Sequence, residues 1–406
     1  MKNVLGTTTS LDLPFLDSLR QEVDPTADRV AKLMHDGPAS GVFANLVRRH
    51  EVWETDGEPS RLLPEDVRTY LKHSGSLPAW TRPETVRHAE DFFLLYGVSS
   101  ATLMACASLP ECYTMKYGTE VLCFTKFLQL DPARRIRETA QMIMAVMCPG
   151  GLVTRVDAPS GIGVHTTQKV RLMHAVIRHM IRETAGGPGH LADPAANPAY
   201  GQPINQEDLV FTLMTFSFVG VRGFRTLGVP MTRAQQDAYI HCWNVVGYLM
   251  GIREDLLPAD MANAEILFDA IRAHQAGASA AGTALTTALM DLLAQLMPPT
   301  QKHLPTVLTR DLIGNEAADL LGIARPPRWA AFQAWCMLRL WAVFVSTGAA
   351  LHMSRPYRLA SEWLHKHLLD RMGHLPGHAP FQIPPEFIAA WFPESKAAAP
   401  PPAAGQ

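Results

Sequence analysis

The stretch between residues 164 and 182 limits the fold more than any other part of this chain. Apolar side chains recur there every three to four residues, the spacing of one face of an α-helix, and one histidine belongs to the same face. The members of this stripe are Val170, Met173, His174, Ile177, Met180 and Ile181. Helical patterns follow one another along the sequence, and no alternating strand pattern with hairpin signals stands out. The sequence therefore predicts an all-α protein with a single large helical domain.

His174 needs a partner for its ring nitrogens, because burying one unpaired costs about 1–3 kcal/mol. A backbone carbonyl, a neighbouring side chain or a metal could meet this need. Arg171 lies three residues before His174 and Arg178 four residues after it, so both project from about the same side of the helix. Two cations beside an imidazole suit a ligand with an apolar body and peripheral carboxylates, such as haem. The alternative is a packed core histidine between arginines that extend from the rim of the helix.

Short motifs occur in a fixed order along the chain. They are Ser108–Tyr113, Arg134–Gln141, Val170–Arg178, Gly201–Leu209, Tyr239–Trp243 and Gly251–Pro258. At these residues the sequence resembles the haem-dependent oxygenases that include bacterial latex-clearing protein, a rubber oxygenase, and the fungal oxygenase of mycophenolic acid biosynthesis. The resemblance covers roughly residues 90–325. It implies globin-like helix packing around a buried haem pocket, and an oxidoreductase that uses O₂ to cleave a carbon–carbon double bond of an apolar, isoprenoid-like substrate. An electron donor is a further partner that this chemistry could use.

The same resemblance assigns roles near the iron. His174 would be the proximal ligand of haem b, and therefore the metal-binding residue, with Arg171 and Arg178 as further cofactor-binding residues. Without the resemblance, the core-histidine alternative stays open.

On the distal side, the resemblance places Arg135 and Thr139 in the haem pocket. Rubber-cleaving members have a lysine directly before that threonine, whereas this chain has Glu138, so we expect the distal side to be more open or to hold water. Family members also place a glutamate near the iron as a base for an allylic proton, and here Glu120 and Glu138 compete for that role. Either glutamate could instead form a salt bridge with Arg135 or Lys126.

Composition narrows the class of protein and its surroundings. A net charge of -2 with no basic stripe argues against nucleic-acid binding. Six cysteines without a Cys-x-x-Cys pair indicate reduced thiols, and residues 1–17 lack the apolar core of a signal peptide, so we expect a cytoplasmic protein. The extracellular rubber oxygenases carry an export signal, and this difference argues against a bulk polymer as substrate. The apolar segment 92–109 is interpreted as a core helix, and peripheral membrane contact stays open.

Three regions are expected along the chain: a weakly structured segment over residues 1–25, an all-helical haem-binding oxygenase domain over 26–390, and an Ala/Pro-rich disordered tail over 391–406. Within the domain, the apolar segment from Trp329 to Phe344 is expected to be central, and Asn205 is interpreted as a helix cap.

Two other functions fit parts of the sequence. A non-catalytic haem sensor or carrier would bind the cofactor through the same His174. A non-haem di-iron helical oxygenase usually needs two Glu-x-x-His helices, and the chain offers Glu362–His365 without a convincing second copy. His241 is interpreted as a partner of Asp255 or of a buried carbonyl rather than as an iron ligand.

Overall fold

The computed structural model describes residues 11–36, 63–124, 132–153, 161–183 and 198–351. The regular elements of these ranges are helices, and Met115 and Ala276 form an isolated β-bridge between them. The first nine helices are α1 (Leu13–Gln21), α2 (Pro25–Asp36), α3 (Glu65–Ser74), α4 (Pro83–Leu95), α5 (Gly97–Leu103), α6 (Leu109–Tyr113), α7 (Gly118–Phe124), α8 (Pro132–Met147) and α9 (Ile162–Glu183). They are followed by α10 (Gln206–Phe216), α11 (Phe218–Thr226), α12 (Arg233–Leu249), α13 (Met261–Gln275), α14 (Ala280–Leu296), α15 (Leu304–Ile313), α16 (Asn315–Leu320) and α17 (Arg328–Leu351). The predicted all-α class is confirmed.

Side-chain caps explain where several helices begin. The Asn205 side chain accepts a hydrogen bond of 3.0 Å from the Asp208 amide at the start of α10, which confirms its interpretation as a cap. Thr232 and Gln235 form a reciprocal capping box at the start of α12. Each such cap contributes about 1 kcal/mol, because the first backbone N–H groups of a helix have no partner within it.

Helix α9, which carries His174, packs against α2, α8 and α12. Its apolar stripe is confirmed, since Val170, Met173, Ile177 and Ile181 are buried in a cluster shared with residues of α2 and α3. A second and larger core is formed mainly by helices α4, α10, α11, α12 and α13. Helix α9 therefore lies along the boundary between two apolar cores.

Three expectations about helices are wrong. Within residues 1–25, Leu13–Gln21 forms a capped helix whose Leu16 and Leu19 are fully buried, because its apolar side meets α10 and α13. The segment 92–109 is not one helix: the chain bends near Tyr96, where Pro83–Leu95 and Ser99–Tyr113 meet at 88°. No single helix of the described ranges has the length and apolarity of a membrane span, although this bent pair together meets those criteria.

The third correction concerns α17, which is not central among the described residues. Trp329, Phe332 and Trp335 are exposed by 63, 66 and 52%. The helix docks on α15 through its small residues Ala330 and Ala334. A sequence that is apolar around most of a helix does not reveal which side packs, and here the small side does. The expected tail 391–406 and the Glu362–His365 motif lie outside the described residues.

Candidate active site

A largely apolar cavity with about 200 Å³ of space lies between α9, α10 and α12. Helices α7 and α8 close further sides of it. Side chains that define its walls include Met142 of α8, Met173 and Ile177 of α9, Phe216 of α10 and Trp243 of α12. Phe216 and Trp243 stack with ring centroids 5.5 Å apart, which gives this end of the cavity a rigid aromatic wall.

His174 lies in the wall of this cavity, between Met173 and Ile177 along the α9 stripe. The ring is partly buried, and its Nδ1 atom is fully buried. A neutral imidazole nitrogen in an apolar cavity is a suitable axial donor for haem iron. His174 thus lines the cavity, and its role as an iron ligand remains a prediction.

Arg171 and Arg178 do not line the cavity with His174. Arg171 forms a bidentate pair with Asp24 of α2, with Nε 2.5 Å from Oδ2 and Nη2 3.1 Å from Oδ1. Arg178 is 1% exposed and binds Asp28 of α2 at 2.7 Å. Their observed role is to fix α9 against α2, and a contact of these two cations with a cofactor remains a prediction.

The expected distal residues lie on α8, which packs directly against α9. Met142 of α8 lines the cavity. Glu138 and Thr139 precede it by four and three residues and Arg135 by seven, so all three positions fall near the same side of the helix. Glu138 is buried, with 9% of its surface exposed. The structure therefore brings the α8 side and His174 to one cavity, while the catalytic roles of Arg135, Glu138 and Thr139 remain predictions.

Glu120 lies on α7, whose Val121 and Leu122 line the cavity. Its Oε1 atom accepts a hydrogen bond of 3.4 Å from the Tyr200 hydroxyl. Glu120 is thus close in sequence to the cavity wall but has a partner on a different segment. Lys126, the proposed salt-bridge alternative, lies outside the described residues.

Asp208 and Thr212 of α10 also line the cavity, and the sequence analysis did not assign them to it. Asp208 Oδ1 lies 3.3 Å from Arg20 Nη1, and Oδ2 accepts a hydrogen bond of 2.9 Å from Asn205. Burial raises the pKa of Asp208, and the positive charge of Arg20 opposes that effect. The i, i+4 spacing of these two residues was the available signal, but the motif around Asn205 was interpreted only as a helix start.

Two further groups have structural explanations. Nε2 of His241 accepts a hydrogen bond of 3.1 Å from the Arg82 amide, rather than meeting Asp255 or a carbonyl. Burial and the nearby Arg82 lower the pKa of His241 to about 4, so it is neutral at pH 7. Cys112 lines the cavity with its Sγ 3.1 Å from Thr215 Oγ1, and burial raises the pKa of its thiol to about 11. It is therefore a neutral thiol at pH 7.

Comparisons with known proteins identify the family of this chain. A family described as "ER-bound oxygenase mpaB/B'/Rubber oxygenase, catalytic domain" matches residues 86–347, which include most of α4, all of α5 to α16 and most of α17. A rubber oxygenase of Streptomyces sp. (strain K30) is 26% identical over 274 residues, which cover 65% of this chain and 62% of that protein. A solved structure of latex-clearing protein in the closed state has a TM-score of 0.68 at 21% identity, and the match covers 91% of this chain and 93% of the other. With more than half of its length matched, this chain belongs to the mpaB and rubber oxygenase family and carries an oxygenase catalytic domain.

Proposed function

We propose that the protein is a b-type haem-dependent oxygenase that cleaves a carbon–carbon double bond of an apolar, isoprenoid-like substrate with O₂. The observation that supports this most is the position of His174, which presents an imidazole to an apolar cavity inside a domain of an oxygenase family. The name of the Streptomyces relative gives the reaction class, since rubber is a polymer with such double bonds.

The apolar side chains around His174 suit the apolar part of haem. Its macrocycle is apolar, and the walls of α8, α9, α10 and α12 supply mainly Met, Leu, Ile, Val and aromatic side chains. His174 would hold the iron, because a neutral imidazole is a common axial donor. Haem would supply the activation of dioxygen, which no side chain can perform alone.

The chain itself would fix the ligand and exclude water. The ion pairs of Arg171 with Asp24 and of Arg178 with Asp28 hold α9 against α2, so the imidazole keeps one position. The apolar walls would exclude water and hold an alkene in place for reaction. For the base that takes an allylic proton, Glu120 and Glu138 remain the two candidates.

A product assay tests this proposal. Purified protein is incubated with squalene or a farnesyl compound under oxygen, and carbonyl fragments are trapped as hydrazones and identified by mass spectrometry. We expect aldehyde and ketone fragments from the wild type and from His179→Gln, a control on the same helix. We expect none from His174→Ala. Haem-loaded wild-type protein that gives no carbonyl fragments from any such alkene would contradict the proposed reaction.

A further inference from the structure

Among the described residues that line the cavity, Asp208 is the one with a charged side chain. The side chain of Asp208 is 15% exposed, and Thr212 follows one helical turn later on the same side of α10. The side chains around them are mainly apolar. A small number of polar groups in an otherwise apolar pocket usually fixes the orientation of a bound ligand.

A buried network holds the Asp208 carboxylate in place. Arg20 is 1% exposed, and its Nη1 lies 3.0 Å from Oε2 of Glu207 and 3.3 Å from Oδ1 of Asp208. The ring of His274 lies between Glu207, at 2.7 Å, and the exposed Asp17, at 3.1 Å. A guanidinium is permanently charged, so burying it here requires carboxylate partners. Asp208 is thus one of two anions that the buried Arg20 needs.

Asp208 keeps hydrogen-bonding capacity for a ligand. Its Oδ1 faces Arg20 and its Oδ2 accepts from Asn205, while a carboxylate has about four lone-pair positions. Gly118 also lines the cavity and lies close to Asp208, because a Cβ added at Gly118 would be 3.6 Å from Oδ1 of Asp208. The absence of a side chain at Gly118 leaves that approach to the carboxylate open. An ionised carboxylate accepts hydrogen bonds but donates none, so the matching ligand group is a donor.

We infer that Asp208 binds the polar end of the substrate, and that this substrate is an apolar alkene chain with a terminal hydroxyl group. Thr212 adds a hydroxyl beside the same position. An unsubstituted hydrocarbon would leave Asp208 without this hydrogen bond, and a carboxylate-headed chain would place two negative charges together. The inference rests on the proposed function for the alkene, but the recognition of the hydroxyl concerns binding alone.

Three probes of equal carbon number separate these cases: geraniol, myrcene and geranic acid. Their binding to the purified full-length protein is measured by isothermal titration calorimetry at pH 7, with no turnover required. We expect geraniol to bind at least about tenfold more tightly than myrcene, which corresponds to about 1.4 kcal/mol for one charge-assisted hydrogen bond. Geranic acid should bind more weakly than geraniol by a similar factor. Equal or tighter binding of myrcene or geranic acid would overturn the inference.

A pair of variants on α10 links the preference to Asp208. Asp208→Asn keeps the size of the side chain and removes its charge, so the geraniol preference over myrcene should fall to about threefold or less. Geranic acid should gain affinity in the same variant. The control is Leu209→Met, an apolar neighbour in the same wall, which should change the affinities for all three probes together. An Asp208→Asn protein that folds and keeps the full preference would overturn the inference, and if it fails to fold, the wild-type ranking decides.

The results of these binding experiments distinguish failure of this inference from failure of the proposed function. Haem-loaded protein that prefers geraniol but gives no carbonyl fragments from any alkene would refute the oxygenase reaction and support the binding site. A haem protein that cleaves alkenes but binds geraniol no more tightly than myrcene would support the oxygenase proposal and refute the binding site.

Discussion

Replacement of Asp28 by asparagine should destabilise the protein far more than loss of an exposed ion pair from the same helix. Asp28 lies 2.7 Å from Arg178, whose side chain is 1% exposed. Arg178 also donates a hydrogen bond of 3.1 Å to the Ile204 carbonyl. Removing one partner of a buried pair leaves an uncompensated charge and costs about 3–5 kcal/mol. Because the Asp28 side chain is 17% exposed, the lower end of this range, about 3 kcal/mol, applies. At about 2 °C per kcal/mol for a large domain, the Tm should fall by about 6 °C.

The matched control is Asp66→Asn. Asp66 pairs with Arg29 of α2 at 3.6 Å, but the two side chains are 57 and 64% exposed. Such surface pairs contribute about 0–1 kcal/mol, so the Tm should fall by less than about 2 °C. Both variants are measured by differential scanning calorimetry of full-length protein. The double variant Asp28→Leu with Arg178→Met should recover most of the lost stability, because it leaves no unpaired charge. An Asp28→Asn protein no less stable than Asp66→Asn would refute the conclusion that this pair fixes α9.

Three further predictions follow from other parts of the structure. Burial lowers the pKa of His241 from 6.5 to about 4 in the folded protein, so the unfolded chain takes up a proton at a higher pH than the folded one. The free energy of unfolding should therefore fall by about 3 kcal/mol as the pH drops from 6.5 to 4. Urea titrations should show that His241→Gln removes this pH dependence. Gly251→Ala should lower the free energy of unfolding by about 2–3 kcal/mol, because φ is +84° and the new Cβ would lie 2.4 Å from Asp24 Oδ2. Gly150→Ala is the control: φ is +83°, but nothing lies within 4 Å of the new Cβ, so the same denaturation assay should show a loss of only about 1 kcal/mol. Of Glu120→Gln and Glu138→Gln, the variant that removes the base should lower kcat for carbonyl formation by about 100-fold or more, while the other keeps a rate near that of the wild type; losses of equal size in both would contradict a single base.

Sequence patterns located the helices well where local rules decide. The α9 stripe and the cap at Asn205 depend on residues within one or two turns, so their signals are present in the sequence itself. The same holds for His174, whose place on the α9 face follows from helical spacing.

Long-range partners were beyond such rules. Arg171 and Asp24 are 147 positions apart in the chain, and Arg178 and Asp28 are 150 positions apart. No local pattern indicates that α2 would supply carboxylate partners for these two arginines. Asp208 was missed for a related reason, since its partner Arg20 of α1 is 188 positions away in the chain. The packing side of α17 likewise depends on α15 rather than on its own sequence.

The central claim is that His174 binds haem in the cavity between α9, α10 and α12. The most direct measurement is the ultraviolet–visible spectrum of the purified protein, oxidised and dithionite-reduced, beside that of His174→Ala, with haem quantified by pyridine extraction. The account predicts a Soret band with about one haem per chain in the wild type, and its loss or a gross change in the variant. A wild-type protein that stays colourless when haem is supplied during expression, and that does not bind added hemin, would contradict it.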